Sequence, residues 1–152
     1  MPGYPFTSFN FSVEITREGS GAPLASAAFS DCDGVEMSME VKTIREGGAP
    51  ERQIRLNGPV AFGQLTLKRG MSENFDLWTW FQDSVADPRL RASAEVVLLA
   101  ADGRTPRARF QLSRCVPIKI KAPAMNARDA QVAIEEMQIA YETLTFKAPV
   151  TA

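Results

Sequence analysis

The sequence predicts a mainly β domain: a barrel or sandwich of about seven to nine strands, with one short α-helix and a long protruding loop. Three observations carry this reading. Apolar and polar residues alternate in several short stretches, as in Phe9, Phe11, Val13 and Ile15 against Asn10, Ser12 and Glu14, which is the period of a strand with one buried face. Clusters of Gly, Pro, Asp and Asn separate those stretches at turn-length intervals. Apolar residues recur at helical spacing in one embedded segment, residues 75–85. Short strands around one helix fit a single-core sandwich or barrel.

Residues 9–15 form the first strand. After a turn at 19–23, an apolar stretch covers 24–29, and Asp31-Cys32-Asp33-Gly34 reads as a turn that interrupts it. Alternation returns as Val35, Met37, Met39 and Val41 against Glu36, Ser38, Glu40 and Lys42, a strand with a charged outer face. The pattern then vanishes across residues 43–59, where Arg45, Glu46, Gly47, Gly48, Arg52, Arg55, Gly58 and Pro59 leave charge and turn formers only. A loop of this length without its own structure is uncommon in a compact domain; it is either functional, ordering when something binds it, or a solvated insertion.

A strand resumes at 62–68 and Gly70 ends it. Ser72 or Asn74 can cap a helix carrying Phe75, Leu77, Trp78, Phe81 and Val85, and Asp87-Pro88 stops it. Trp78 and Trp80 lie about 200° apart around that helix. They cannot share one core, so one of them is expected to face a neighbouring element or a neighbouring subunit.

Residues 95–100 and 106–116 read as a hairpin around Asp102-Gly103, with Ala108, Phe110 and Leu112 alternating against Arg107, Arg109 and Gln111. Residues 117–121 continue it, and Ala122-Pro123 and Asn126-Ala127 mark a turn. In the final segment Met137, Ile139 and Tyr141 alternate but Ile134 is out of phase, which a β-bulge at Glu135-Glu136 would repair. Leu144 and Phe146 slip phase again.

Composition narrows the functional classes. A chain of 152 residues is about one domain, large enough for a real core. Its 17 basic and 18 acidic residues nearly cancel, giving no global electrostatic case for nucleic acid or an anionic membrane. There is no secretory leader pattern and no run approaching 18 apolar residues, so the chain is expected to be made in the cytoplasm and to stay soluble there. Two cysteines, Cys32 and Cys115, cannot make a disulfide framework or a four-thiolate site, and read as small buried hydrophobes.

Histidine is absent, which removes the usual general base and the Ser-His-Asp triad. Gly47-Gly48 lacks the Lys-Ser/Thr of a phosphate loop, and Asp31 and Asp33 are too few oxygen ligands for a calcium loop. Adjacent strand positions send Glu135 and Glu136 to opposite faces, unless a bulge realigns them, so paired acid/base work is not expected. Lys68-Arg69 and Lys119 with Lys121 read as a solvated edge. No catalytic, cofactor-binding or metal-binding residue is predicted, and no cofactor.

A family resemblance adds to this. Leu56-Asn57-Gly58-Pro59, then Phe62-Gly63-Gln64-Leu65-Thr66-Leu67-Lys68-Arg69-Gly70, then Leu77-Trp78-Thr79-Trp80 resemble the central signature of tail tube proteins of contractile phages and related phage-derived extracellular injection systems. A second block, Val116-Pro117-Ile118-Lys119, Asn126-Ala127 and Val132-Ala133-Ile134-Glu135 on to Ala140-Tyr141-Glu142, is similar to the C-terminal half of that family. The order and spacing hold from about residue 9 to residue 146.

The resemblance implies one tail-tube-like domain over residues 1–152, assembling into hexameric rings stacked as a hollow tube inside a contractile sheath. Type VI secretion tube proteins would be more distant relatives by fold. Implied partners are copies of itself, the sheath protein, baseplate hub or spike and tape-measure proteins, and possible protein cargo in the lumen, with no sequence-specific nucleic acid and no direct membrane anchor. Assembly in the bacterial cytoplasm, as part of a phage tail or an injection particle, follows.

Leu67, Lys68, Arg69, Gly70, Trp78, Trp80, Pro117 and Lys119 become structural residues of the family motifs. Arg45, Glu46, Gly47, Gly48, Arg52 and Arg55 are expected to dock on a neighbouring subunit or ring. Two alternatives stand beside this: a specialised ring at the tube's start or end, and a small-ligand-binding barrel.

Overall fold

The computed structural model describes residues 11–19, 23–27, 29–45, 53–125, 127–128 and 132–148. Among them run ten strands and one helix: β1 (Phe11–Arg17), β2 (Pro23–Ala27), β3 (Asp31–Asp33), β4 (Met37–Arg45), β5 (Gln53–Phe62), β6 (Gln64–Gly70), α1 (Asp76–Ala86), β7 (Ala92–Leu99), β8 (Pro106–Lys121), β9 (Ile134–Ala140) and β10 (Thr143–Lys147). The fold is mainly β, as the alternation predicts, with more strands than the seven to nine expected.

Eight strands share one sheet in the order β2-β1-β7-β8-β9-β6-β3, with β10 added alongside β8. Its edge strands β2 and β3 are consecutive in the chain, and so short a link spans at most about 14 Å. The sheet must therefore curl until its two edges approach, yet among the described residues no ladder closes the seam. The result is an open, curled sheet rather than a closed barrel.

The turn at β8 comes from one residue. Arg114 has φ 51°, an unfavourable region for a residue bearing a Cβ. Up to Cys115 β8 pairs with β7, and up to Ser113 with β10; from Val116 onward it pairs with β9. Three contacts hold this corner: the Arg114 N–H donates to Glu18 Oε1 at 2.9 Å, and its Nε donates to Glu142 Oε2 at 2.8 Å, with Glu18 also opposite the guanidinium.

Inward positions of β1, β6, β7, β8 and β9 fill the space inside the curl. Ile15, Leu65, Leu67, Leu112, Cys115, Met137 and Ile139 are completely buried there, and α1 adds Leu77 and Trp80.

Several expectations are corrected by the structure. Asp31, Cys32 and Asp33 are not merely a turn: they form β3 on β6, and the turn begins at Gly34, with φ 93°. An added Cβ at Gly34 would lie 1.8 Å from the Gln64 carbonyl oxygen, so both the conformation and the space demand glycine. Residues 43–59 are largely not a loop. Residues 43–45 and 53–59 belong to β4 and β5, paired antiparallel from Met37↔Phe62 to Arg45↔Gln53.

No bulge occurs at Glu135-Glu136, because β9 pairs with β6 in unbroken register from Ile134 to Ala140. Ile134 instead faces out and Glu135 faces in. The irregularity sits on the β8–β9 ladder between Pro117 and Lys119, where buried Pro117 has no N–H to give a ladder. Helix α1 starts at Asp76, later than a Ser72 or Asn74 cap places it, although the Asn74 Oδ1 still accepts the Asp76 N–H at 3.2 Å. Its end at Asp87 is as predicted.

Candidate assembly surface

The motif residues converge on one buried knot. Leu67 points into the core and the next inward position of β6 is Arg69, only 4% exposed. Across the ladder, Glu135 is 1% exposed and its Oε1 accepts from Arg69 Nε at 2.5 Å. Arg69 Nη2 donates to Asp76 Oδ1 at 2.5 Å and to the Asn74 carbonyl at 3.0 Å. The second oxygen of Glu135 accepts the Trp78 indole N–H at 2.8 Å. Phe29 lies 5.6 Å below the guanidinium carbon.

Burial works against the charge on Arg69, but the hydrogen bonds it donates to Asp76 and Glu135 outweigh it and its pKa is raised. A guanidinium and two carboxylates therefore rivet the start of α1 onto β6 and β9. The solvated-edge expectation fails for Arg69, because its place in the β6 register points it inward. Trp80 enters the core and Trp78 meets β9, so the two indoles divide as the helical angle requires. Gly70 ends β6, buried Pro117 sits at the irregularity of β8, and Lys68 and Lys119 stay on the outer side.

The second feature is the β4–β5 arm. It forms its own two-stranded sheet, and no other described element makes more than passing contact with it. At its root the Tyr141 hydroxyl lies 2.8 Å from the Gly34 carbonyl and 3.0 Å from the Glu36 carbonyl, donating between them, and it accepts the Glu36 N–H at 3.2 Å. Midway, Gly58 lies across from Glu40, and a Cβ there would lie 2.3 Å from the Glu40 carbonyl oxygen. That close approach accompanies the register shift between Met39 and Val41.

Met37, Met39 and Val41 are not in a core: they are exposed on this arm. The alternation that suggested burial is real, but the face it marks over residues 37–41 is exposed within one copy. Of the candidate contact residues, Arg45 is paired with Gln53 and Arg55 with Thr43 at the far end of the arm. Glu46, Gly47, Gly48 and Arg52 lie outside the described residues, as does Asn126.

The thiols are quiet. Burial, then the nearby Asp33, pushes Cys32 up to about 11, and burial pushes Cys115 up to about 12. Among the described residues no three of His, Cys, Asp and Glu are placed to hold a metal, and no helix is long and apolar enough to cross a membrane.

Comparison with known proteins agrees with this architecture. Residues 7–145 match the family described as T4-like virus tail tube protein gp19. Among solved structures, a chain of the anti-feeding prophage baseplate superposes with TM-score 0.82 at 24% identity, covering 95% of this chain and 97% of that one. A chain of the PVC extracellular contractile injection system, from the sheath-tube complex in its extended state, gives 0.81 at 17% identity, covering 97% and 95%. Hcp1 from Flavobacterium johnsoniae is more distant, with TM-score 0.52, 9% identity and coverage of 91% and 96%. No curated protein matches the sequence.

Proposed function

This chain belongs to the T4-like virus tail tube protein gp19 family, and from that premise we propose that it is the inner-tube subunit of a contractile injection system or phage tail. It is a structural component, not an enzyme. Copies assemble into six-membered rings, and the rings stack around a lumen that passes cargo or DNA. The tube is passive: contraction of a surrounding sheath drives it, and baseplate hub or spike and tape-measure proteins set where it starts and how long it grows. Assembly takes place in the bacterial cytoplasm.

One observation supports this reading above the others. Beyond its root, where Phe62 meets Tyr141, the β4–β5 arm makes no more than passing contact with any other described element, and an isolated two-stranded ribbon is marginal in water. A subunit built to contact copies of itself accounts for it. Contacts between unlike patches close into rings or continue as filaments.

The arm's far end, with Arg45, Glu46, Gly47, Gly48, Arg52 and Arg55, docks on a neighbouring subunit or the next ring. Deleting residues 47–52 should leave a folded subunit by circular dichroism that sediments without forming tubes. Normal tubes from that deletion would remove the role. A specialised ring at the tube's start is the second reading, favoured by the likeness to a baseplate chain. Purified protein separates the two, since a main tube subunit stacks without limit and an adaptor stops at single rings.

A further inference from the structure

The seam of the curled sheet carries a cleft, and β1 begins on its edge. β2 pairs with β1 only from Val13 onward, where Val13 meets Ala27, so among the described residues Phe11 has a strand neighbour on the β7 side alone. β3 is likewise paired on one side, by β6. These two half-paired strands border a cleft of about 610 Å³, to which β1, β7 and β8 contribute Phe11, Val96, Leu98 and Phe110, and β3 and the residues after it contribute Cys32 and Val35. Phe11, Cys32, Val35 and Phe110 pack against the core yet stay only partly buried. An open apolar cleft of this size calls for an occupant.

The chain itself supplies one of matching chemistry. Residues 1–10, which lie outside the described residues, carry no charged side chain and hold Tyr4, Phe6 and Phe9. They lead directly into Phe11, a residue of the cleft. Phe9 stands two positions before Phe11, so the strand period gives it the same face. The eight residues before Phe9 span up to about 28 Å when extended, enough to cross the seam toward β3. A tether this short holds the segment at about millimolar effective concentration, which favours it over a segment from another copy. Asp31, Asp33 and Glu136 outnumber Lys68 in the cleft lining, which disfavours a fatty acid or other anionic ligand.

We propose that residues 1–10 fold over the seam and seat Phe6 and Phe9 in this cleft of their own copy, as a plug built into the subunit. The plug completes the apolar packing that the open seam leaves unfinished, and it denies the cleft to small hydrophobic molecules. The contact lies within one copy, so it stands apart from the tube reading and is tested on dilute, unassembled protein.

Cys32 reports on the cleft, and Cys115, completely buried in the core, serves as the control. Phe6→Cys and Phe9→Cys are made separately in the full-length chain. Each is mixed as equal amounts of isotope-labelled and unlabelled protein, oxidised with diamide, and mapped by peptide mass spectrometry. The expected dominant disulfide joins position 6 or 9 to Cys32 within one copy, so that linked peptides carry the same isotope. In parallel, deleting residues 1–8 should speed the labelling of Cys32 by an aromatic disulfide about tenfold while leaving Cys115 unchanged. The deletion should also bind the neutral dye Nile red, which the full-length subunit does not take up.

Absence of any link from position 6 or 9 to Cys32 overturns the plug, and linked peptides of mixed isotope overturn it too, by assigning the segment to a neighbouring copy. Unchanged labelling of Cys32 in the deletion, or equal Nile red binding by both proteins, shows a cleft that the full-length subunit leaves open and has the same force. If Cys115 speeds up as well, the deletion has unfolded the body, and the disulfide map alone decides.

Discussion

Replacing Glu135 by Ala should destabilise the subunit severely, because it strips a buried guanidinium of its nearest counter-charge. Removing one partner of a buried ion pair costs about 3–5 kcal/mol. Asp76 remains 2.5 Å from Arg69, which places this case near the lower end, while the Trp78 indole loses its acceptor for about 1 kcal/mol more. We expect about 4 kcal/mol in total, or roughly 8–16 °C in Tm for a domain of this size.

The assay is urea unfolding of dilute, unassembled subunit, followed by far-ultraviolet circular dichroism and by tryptophan fluorescence, since Trp78 reports the knot itself. Arg69→Met combined with Glu135→Leu should recover much of the loss, because no charge pair then needs burial. Asp76 is still served by the Leu77 N–H at 2.7 Å in the first turn of α1. Single costs below about 1 kcal/mol, or a double variant whose loss equals the sum of the singles within about 0.5 kcal/mol, would refute the view that these groups act as one unit.

Three further outcomes follow from particular contacts. Gly58→Ala places a Cβ against the Glu40 carbonyl, so it should distort the arm and suppress assembly while moving the body's Tm by no more than a few degrees; a variant that assembles like wild type contradicts this. Tyr141→Phe removes the hydroxyl that ties down residues 34–36, costing about 1–2 kcal/mol, and should speed hydrogen exchange at the Glu36 amide; unchanged exchange there would show that the hydroxyl does not hold the arm's root. Finally, with pKa values near 11 and 12, Cys32 and Cys115 should react with an aromatic disulfide at pH 8 at least about a hundredfold more slowly than a free cysteine, whereas labelling at the rate of the unfolded chain would place the thiols in contact with solvent.

Much of the fold was legible because burial on one face leaves a period of two. The strand containing Val13 and Ile15 and the hairpin around Asp102 followed from it, while the helix followed from the three- and four-residue spacing of Phe75, Leu77, Trp78, Phe81 and Val85. Where the structure departs, the reasons are local. Glu135 occupies an inward position that Arg69 and Trp78, both distant in sequence, make tolerable, and a rule that sends carboxylates outward invents a bulge instead. Residues 43–59 show no alternation, although 43–45 and 53–59 are paired strand. At the arm's root the reverse holds: Met37, Met39 and Val41 alternate as though facing a core, but no core stands behind them.

β3 is too short for periodicity to register, and its placement depends on pairing with β6. The family motifs around Leu67 to Gly70 and Trp78 were recognisable as a set; the buried charge that joins them was not, because its partner Glu135 lies on β9.

The central claim is that the outward-facing arm exists to bind copies of this chain. Electron microscopy of the purified full-length protein at high concentration tests it most directly. The account predicts hollow filaments built from stacked six-fold rings; a field of single molecules, unchanged when sheath and baseplate proteins are supplied, would contradict it.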